Sequence, residues 1–424
     1  MAEESAKSNV SILPEEGEKS EVSILPEGVQ VKATIDNFYK LISNHYGKKL
    51  RLNEMTGKPE FWNKLRGCWC EWTDAQESEA RAYFESTYGM YSQAKLADAL
   101  AIYFKDNKVN PLINILEGLE WDGKPRVEQF LHDVMKADDT DYIRECSRLI
   151  FAGGIHRAYE PGCKFDDMVV LIGSQGSGKS TIVRWLALED DFFSEIKTIN
   201  GKEGIEAIRG VWIGEVAELM AMTRVKEAEA VKAYITSQED SYRPPYAKHV
   251  ITVPRRCMFL GTTNNPQFLT DKTGNRRFYP VKCHSFAYKL YDNEKEVREY
   301  IKQAWAEAVH LYKAGELQAF AKKEVLEQIR AAQESAMEDD WRIGAIEQYL
   351  EDTKSANSAT VSVIELWHNA LNEPDESKPT RKDSIELTQI ISNIPGWVQC
   401  PNPVRTKWGR QKAFRKDNFY AIWR

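Results

Sequence analysis

No run of apolar residues in this 424-residue chain is long enough to cross a bilayer, which takes about twenty in succession. The opening Met1-Ala2-Glu3-Glu4-Ser5 has neither the basic nor the apolar region of a secretory signal, so a soluble, cytoplasmic protein is expected. Cysteine is sparse and scattered. There are seven, none in a C-x-x-C pair, and Cys68 and Cys70 on either side of Trp69 are too close for structural zinc. They read as free thiols in a reducing compartment. Among the seven histidines there is no H-E-x-x-H, which removes the helix-borne zinc hydrolases. Positive charge is also in deficit: 57 Lys and Arg against 64 Asp and Glu leave a net charge of -7. A uniformly cationic surface is excluded, but local basic patches are not.

What is present begins with Gly173-Ser174-Gln175-Gly176-Ser177-Gly178-Lys179-Ser180, which fits the pattern G-x-x-x-x-G-K-[ST] in full. Val169-Val170-Leu171-Ile172 before it reads as a buried strand, and the stretch from Thr181 to Leu188 reads as a helix with an apolar face. Strand, glycine loop and helix in this order make a phosphate cradle. Glycines accept positive φ, the loop N–H groups turn inward, and the helix start adds its positive dipole end. Gly173 through Thr181 are therefore the candidate ATP contacts, with Lys179 reaching the β- and γ-phosphates and Ser180 taking a position on Mg²⁺. The only metal expected is the one that arrives with the nucleotide.

Further along, Val211-Trp212-Ile213-Gly214-Glu215 is an apolar run ending in an acid, with Glu218 three residues on. This is the shape of a Walker B strand, in which Glu215 holds the Mg²⁺ hydration shell and a nearby carboxylate orients or deprotonates the attacking water. Cys257 to Asn264 reads as another buried strand, and it ends in an amide placed to meet the γ-phosphate or the water. Between these, Asp240 to Arg256 alternates aromatic, basic and β-branched residues around Ala247-Lys248-His249. That predicts a hairpin with a basic tip, which either contacts phosphates in a narrow channel or is a solvated loop. Arg276 and Arg277 lie on a turn before a strand. They either stabilise charge on a neighbouring subunit's nucleotide or form an intrachain ion pair.

The flanks divide by composition. Residues 1–30 repeat Val-Ser-Ile-Leu-Pro-Glu at Val10 and Val22, reading as a disordered acidic tail or a duplicated linear motif. Residues 31–119 predict a mainly helical α+β domain with a hairpin around Glu54 to Pro59, a capping box from Thr73 to Gln76, and no catalytic constellation. In the helical collar, 120–165, Trp121 to Arg126 forms a turn that feeds a helix bearing Val127, Phe130, Leu131 and Val134, with Pro125 at its first position. The ATPase domain spans 166–335, and the charged run from Gln318 to Asp340 reads as helical and partly linker. Residues 336–424 predict helices followed by a two-stranded hairpin, a winged-helix-like outline. Its basic tail, Arg405, Lys407, Arg410, Lys412, Arg415 and Lys416, favours a DNA backbone.

Taken together, six stretches resemble the virulence-associated protein E family, phage and mobile-element P-loop proteins related to superfamily-3 helicases. They are Trp121 to Arg126, Gly173 to Ser180, Trp212 to Glu218, Tyr242 to Tyr246, Gly261 to Asn264 and Thr273 to Phe278. The resemblance implies an α/β fold with an AAA+-type core, a hexameric ring in a bacterial host, and ATP hydrolysis coupled to movement along single-stranded or forked DNA. By it Glu215 is the Walker B acid, Asn264 is sensor 1, Arg276 or Arg277 is the arginine finger, and Lys248 and His249 form the pore hairpin. Many AAA+ proteins carry adjacent acids at Walker B, whereas Glu215 and Glu218 are separated, so either could prepare the water. The expected activity is a replicative helicase served by a separate primase. An initiator or loader that does not unwind fits the same motifs, and a small-molecule P-loop kinase leaves Asn264 and the paired arginines unexplained.

Overall fold

The computed structural model describes residues 31–199, 201–217, 225–242, 250–269, 275–284, 293–337, 341–353, 360–374 and 376–416. The N-terminal repeat lies outside them. The chain divides into two compact units after Met337.

The first unit opens with α1 (Ile35–His45), whose Thr34 cap accepts the Asn37 N–H at 3.2 Å. Strands β1 (Leu50–Asn53), β2 (Lys58–Asn63) and β3 (Cys68–Glu71) then form an antiparallel meander. Helices α2 (Asp74–Tyr88) and α3 (Gln93–Asp106) follow, and the two-residue β4 (Lys108–Val109) joins β1 in parallel. The expected capping box is present, Gln76 accepting the Thr73 N–H at 3.1 Å. A four-stranded sheet, ordered β3-β2-β1-β4, accompanies these helices, so the domain is α+β with more helix than strand. Phe38, Ile42, Phe84 and Leu100 form its core, on one side of the sheet.

After α4 (Pro111–Glu117), which ends the N-terminal segment, the collar contains α5 (Phe130–Met135) and α6 (Asp141–Tyr159). The expected helix through Val127 is shorter than its sequence suggests, and Pro125 is not its first residue. The Glu307 carboxylate accepts the backbone N–H groups of Arg126 and Val127, the latter at 2.9 Å, so these groups need no helical turn.

The central domain alternates strands and helices: β5 (Met168–Ile172), α7 (Lys179–Leu186), β6 (Phe193–Glu195), α8 (Gly201–Ala207), β7 (Ile213–Val216) and α9 (Val225–Thr236). Then come β8 (Glu239–Tyr242), β9 (Ile251–Pro254), β10 (Met258–Thr263), β11 (Phe278–Lys282), α10 (Glu294–Lys313) and α11 (Leu326–Ser335). A five-stranded sheet in the order β11-β5-β10-β7-β6 is parallel throughout. Both faces are covered, as a parallel sheet requires. Val169, Leu171 and Leu260 pack with the collar and α10, while Met168, Val170 and Phe259 pack with α9. Gly154 lets α6 approach closely, since a Cβ there would sit 2.3 Å from the Trp305 ring. The run after Gln318 is helical from Leu326 to Ser335 and packed there, Val325 and Ile329 being buried in the main core and Gln333 donating to the Phe278 carbonyl at 3.0 Å, while its last three residues, at the division between the units, lie outside the described residues.

The second unit consists of α12 (Trp341–Thr353), β12 (Thr360–Ser362), a helical segment in two parts (Val363–Glu365 and Leu366–Ala370) and α13 (Arg381–Asn393). Strands β13 (Trp397–Gln399), β14 (Val404–Thr406), β15 (Gly409–Gln411) and β16 (Ala413–Lys416) complete it. β16 pairs antiparallel with β12 and β13, and β14 with β15 forms a separate hairpin. Ile346, Leu366, Leu387, Ile391 and Phe414 make its core.

Candidate active site

The carboxyl ends of parallel strands open a crevice where helix N-termini and loops can hold a ligand. Here β5, β10 and β7 lie side by side, and each delivers polar residues to that edge. β5 runs into the glycine loop, where Gly176 and Gly178 have φ of 78° and 82°. These left-handed values turn the chain tightly into α7, which starts at Lys179.

The Lys179 ammonium is folded into its own loop. Its Nζ donates to the Gly173 carbonyl at 2.8 Å, the Ser174 carbonyl at 3.0 Å, Ser177 Oγ at 3.1 Å and Asn264 Oδ1 at 3.1 Å. Four acceptors compete for three N–H groups, so the ammonium is held by contacts that can be exchanged one at a time. Burial lowers the Lys179 pKa, with the nearby Glu215 carboxylate among the groups opposing the shift. On β7, with β10 between it and β5, Glu215 is 2% exposed, and its Oε1 accepts from Ser180 Oγ at 2.6 Å and from Thr262 Oγ1 at 2.7 Å. A buried carboxylate is thus satisfied by hydroxyls on the loop helix and on β10.

The structure brings Lys179, Ser180, Glu215 and Asn264 together. It also brings in Thr262, to which the sequence reading gave no role, while Ser177 was already among the candidate ATP contacts. The strand period was a usable signal for Thr262, since side chains two apart in β10 share a face and Asn264 is its neighbour by that rule. Glu218, Lys248 and His249 lie outside the described residues. The stem of their hairpin is present, with β8 and β9 antiparallel from Glu239 opposite Pro254 to Tyr242 opposite Ile251.

Arg276 and Arg277 do not join the cluster. They precede β11, which runs parallel to β5 with Phe278 opposite Met168 and Lys282 opposite Ile172. The arginines therefore sit at the amino end of the strands, separated from the glycine loop by the length of β5, about 15 Å at 3.3 Å per residue. Arg277 forms the intrachain ion pair with Asp166, 3.2 Å away, and also bonds Thr236 Oγ1 at 3.1 Å. Arg276 is exposed. Beside them the Asp167 carboxyl is pushed up to about 6, first by burial and then by Asp166, against the opposing pull of a Tyr279 hydrogen bond and of Arg276.

In the second unit, Arg405, Lys407, Arg410 and Lys412 are all exposed on or beside the β14–β15 hairpin. Arg405 and Arg410 face each other directly across it. Like charges in that position repel, which an anionic partner would relieve. Lys407 Nζ lies 4.0 Å from the centre of the Trp408 ring, itself stacked on His368 at 5.6 Å.

Among the described residues no group of three or more His, Cys, Asp and Glu could hold a metal, and no helix is long and apolar enough to cross a membrane. The oxygens of Ser180 and Glu215 do suit a hard cation that a nucleotide brings with it.

The model of the virulence-associated protein E-like domain matches residues 116–338, more than half of the chain. No curated protein matches. Among solved structures, the apo structure of the NrS-1 C-terminal region is similar over 89% of this chain and 98% of that one, with a TM-score of 0.51 and 12% identity. Its A form aligns over the same shares, with the same score and identity. At that identity the likeness concerns the fold, a mixed α/β chain with a parallel sheet.

Proposed function

We propose, from the premise that the chain belongs to the virulence-associated protein E-like family, that it is a DNA-dependent ATPase acting as a ring-forming replicative helicase of a prophage or other mobile element. One observation carries the reading: Lys179, Ser180, Glu215 and Asn264 converge at the carboxyl ends of three adjacent parallel strands. β10 lies between the loop strand and the Glu215 strand, so Asn264 stands between phosphate cradle and carboxylate. That placement supports an AAA+-type core over residues 166–335.

In this reading ATP binds with its phosphates against the loop N–H groups and Lys179, which exchanges the Gly173 and Ser174 carbonyls for phosphate oxygens. Ser180 and Glu215 would hold Mg²⁺, which supplies neutralisation of charge on the β- and γ-oxygens. Asn264 orients the attacking water or the γ-phosphate, and Glu215 or Glu218 accepts its proton. Arg276 is the better candidate for the finger, because Arg277 is committed to Asp166. From the amino end of the sheet it can act only on a neighbouring subunit's nucleotide, and this supports a ring, taken as a hexamer. Helices followed by an antiparallel sheet and a cationic hairpin support a winged-helix-like DNA-binding domain in the second unit. Lys248 and His249 remain the proposed pore contacts, and a separate primase and the bacterial cytoplasm complete the proposal.

The test is ATP hydrolysis with and without single-stranded DNA, alongside displacement of a strand from a forked duplex, with Lys179→Ala as control. Stimulated hydrolysis with displacement, both lost in the variant, supports the motor. Stimulation without displacement selects an initiator or loader, and hydrolysis indifferent to DNA overturns the reading.

A further inference from the structure

One face of the N-terminal sheet packs on the helices, and its other face carries aromatic side chains, of which Trp62 is exposed. Opposite residues of an antiparallel pair share a face. Arg51 lies opposite Glu60, Trp62 opposite Trp69, and Glu60 opposite Glu71, so these side chains form one surface across β1, β2 and β3. Phe61 and Leu50, which alternate with them, face the helices instead. Trp62 is 39% exposed, a large value for an indole held in a strand. Its ring meets Trp69 edge-on with centroids 5.5 Å apart, and the Arg51 guanidinium lies 3.9 Å from the centre of the Trp69 ring. Arg51 is fixed in turn by Glu60 at 2.7 Å, which also accepts from Asn53 at 2.7 Å. The platform is therefore rigid before anything binds to it.

Its electrostatics select the occupant. Glu60 pairs with Arg51, and Glu71 pairs with Lys58 at 2.8 Å, so the carboxylates of this face are matched. Between Gly47 and Glu71 the chain has six Lys and Arg against three Glu, an excess of cations inside a chain whose net charge is -7. The turn between β2 and β3 holds Lys64 and Arg66 immediately beyond the two tryptophans. An exposed indole, backed by a partly buried one and next to a basic turn, suits a strand of nucleic acid whose bases stack while its phosphates meet the cations.

We infer that the face formed by Arg51, Trp62 and Trp69 binds single-stranded DNA by base stacking, a site separate from the ATPase cluster and from the cationic hairpin of the second unit. Binding here requires no nucleotide. The site is independent of whether the chain hydrolyses ATP.

The test uses the full chain without nucleotide and measures anisotropy of a labelled oligothymidine of about twenty nucleotides, which is longer than one such platform covers. Trp62→Ala is expected to weaken binding about tenfold, the loss of one stacked base, while Trp62→Phe keeps most of it. An oligonucleotide of equal length with abasic residues should bind the unaltered protein about as weakly as the normal one binds Trp62→Ala. Basal ATP hydrolysis without DNA should be the same in parent and variant, which separates this site from the catalytic reading. Equal affinity of normal and abasic strands overturns the inference, even if Trp62→Ala fails to fold. So does a folded Trp62→Ala with parental affinity, and a change in oligomeric state with affinity retained assigns the face to subunit contact instead.

Discussion

Replacing Thr262 by valine tests the least expected member of the cluster. The two side chains have nearly the same shape and both favour strands, so β10 should keep its place between β5 and β7. What changes is one hydroxyl, 2.7 Å from the Glu215 carboxylate, at a residue only 4% exposed. Water cannot readily replace it there. A hydrogen bond to a charged group contributes about 1.5–3 kcal/mol, and the methyl supplies none of it. In the resting site Ser180 shares the load, donating to the same oxygen at 2.6 Å. In the proposed reaction the Ser180 hydroxyl turns to Mg²⁺, and Thr262 alone fixes that oxygen. The loss should therefore fall on turnover: kcat drops about ten- to a hundredfold, as 1.36 kcal/mol per decade requires, while nucleotide affinity changes little. Steady-state hydrolysis combined with titration of a fluorescent ATP analogue measures both. Parental kcat in a folded Thr262→Val protein refutes the positioning argument, and a loss confined to affinity assigns Thr262 to binding.

Arg276→Ala should leave stability unchanged but abolish hydrolysis, and mixing it with Lys179→Ala should restore part of the activity, because each variant supplies what the other lacks. No recovery on mixing would falsify action in trans. Arg277→Ala should instead lower the melting temperature, since its pair with Asp166 is enclosed, the two side chains being 19% and 17% exposed. Asp167, whose carboxyl is raised from 3.8 to about 6, penalises the fold when ionised. The penalty is absent below about pH 4, grows through the window up to 6 and is full above it, so stability falls as pH rises there. Asp167→Asn should stabilise by at most about 2–3 kcal/mol at pH 8 and by almost nothing at pH 4, read by denaturant titration at both values. Arg405→Thr should relieve the repulsion with Arg410 and raise the melting temperature of the second unit slightly. The same change should weaken DNA binding and reduce its salt slope by about one.

The glycine loop was legible because every constraint on it is local: residue types, a preceding apolar strand and a following helix all lie within a short window. Glu215 and Asn264 could be read as strand ends, but their meeting depends on β10 entering between β5 and β7, a long-range choice that no local pattern encodes. The arginines show the limit most clearly. Adjacent in sequence, Arg276 and Arg277 look interchangeable, yet one is bound to Asp166 and the other faces solvent, since the partner comes from the loop before β5. In the N-terminal domain β4 is two residues long, too short for any periodicity, and its parallel pairing with β1 is set by α3 packing beneath. The collar departs from expectation for the same reason, because Glu307 reaches Arg126 and Val127 across a gap of 180 residues.

The polarity of the parallel sheet decides what one chain can do alone. All five strands point the same way, so everything delivered by their carboxyl ends faces one edge and everything delivered by their amino ends faces the other. The phosphate cradle, Glu215 and Asn264 belong to the first set, while Asp166, Asp167, Arg276 and Arg277 belong to the second. No rotamer change carries an arginine side chain, about 7 Å long, around five residues of strand at 3.3 Å each. In the proposed reaction an Arg276 finger would then act on another molecule, whose carboxyl edge meets this amino edge. Such a contact would join two different surfaces of identical chains, and repeated with a rotation that divides a full turn it closes into a ring rather than an open filament. In the proposed ring each interface would then be a place where one subunit's nucleotide is sensed by the next, because the arginine and the phosphate cradle lie on opposite edges of one sheet.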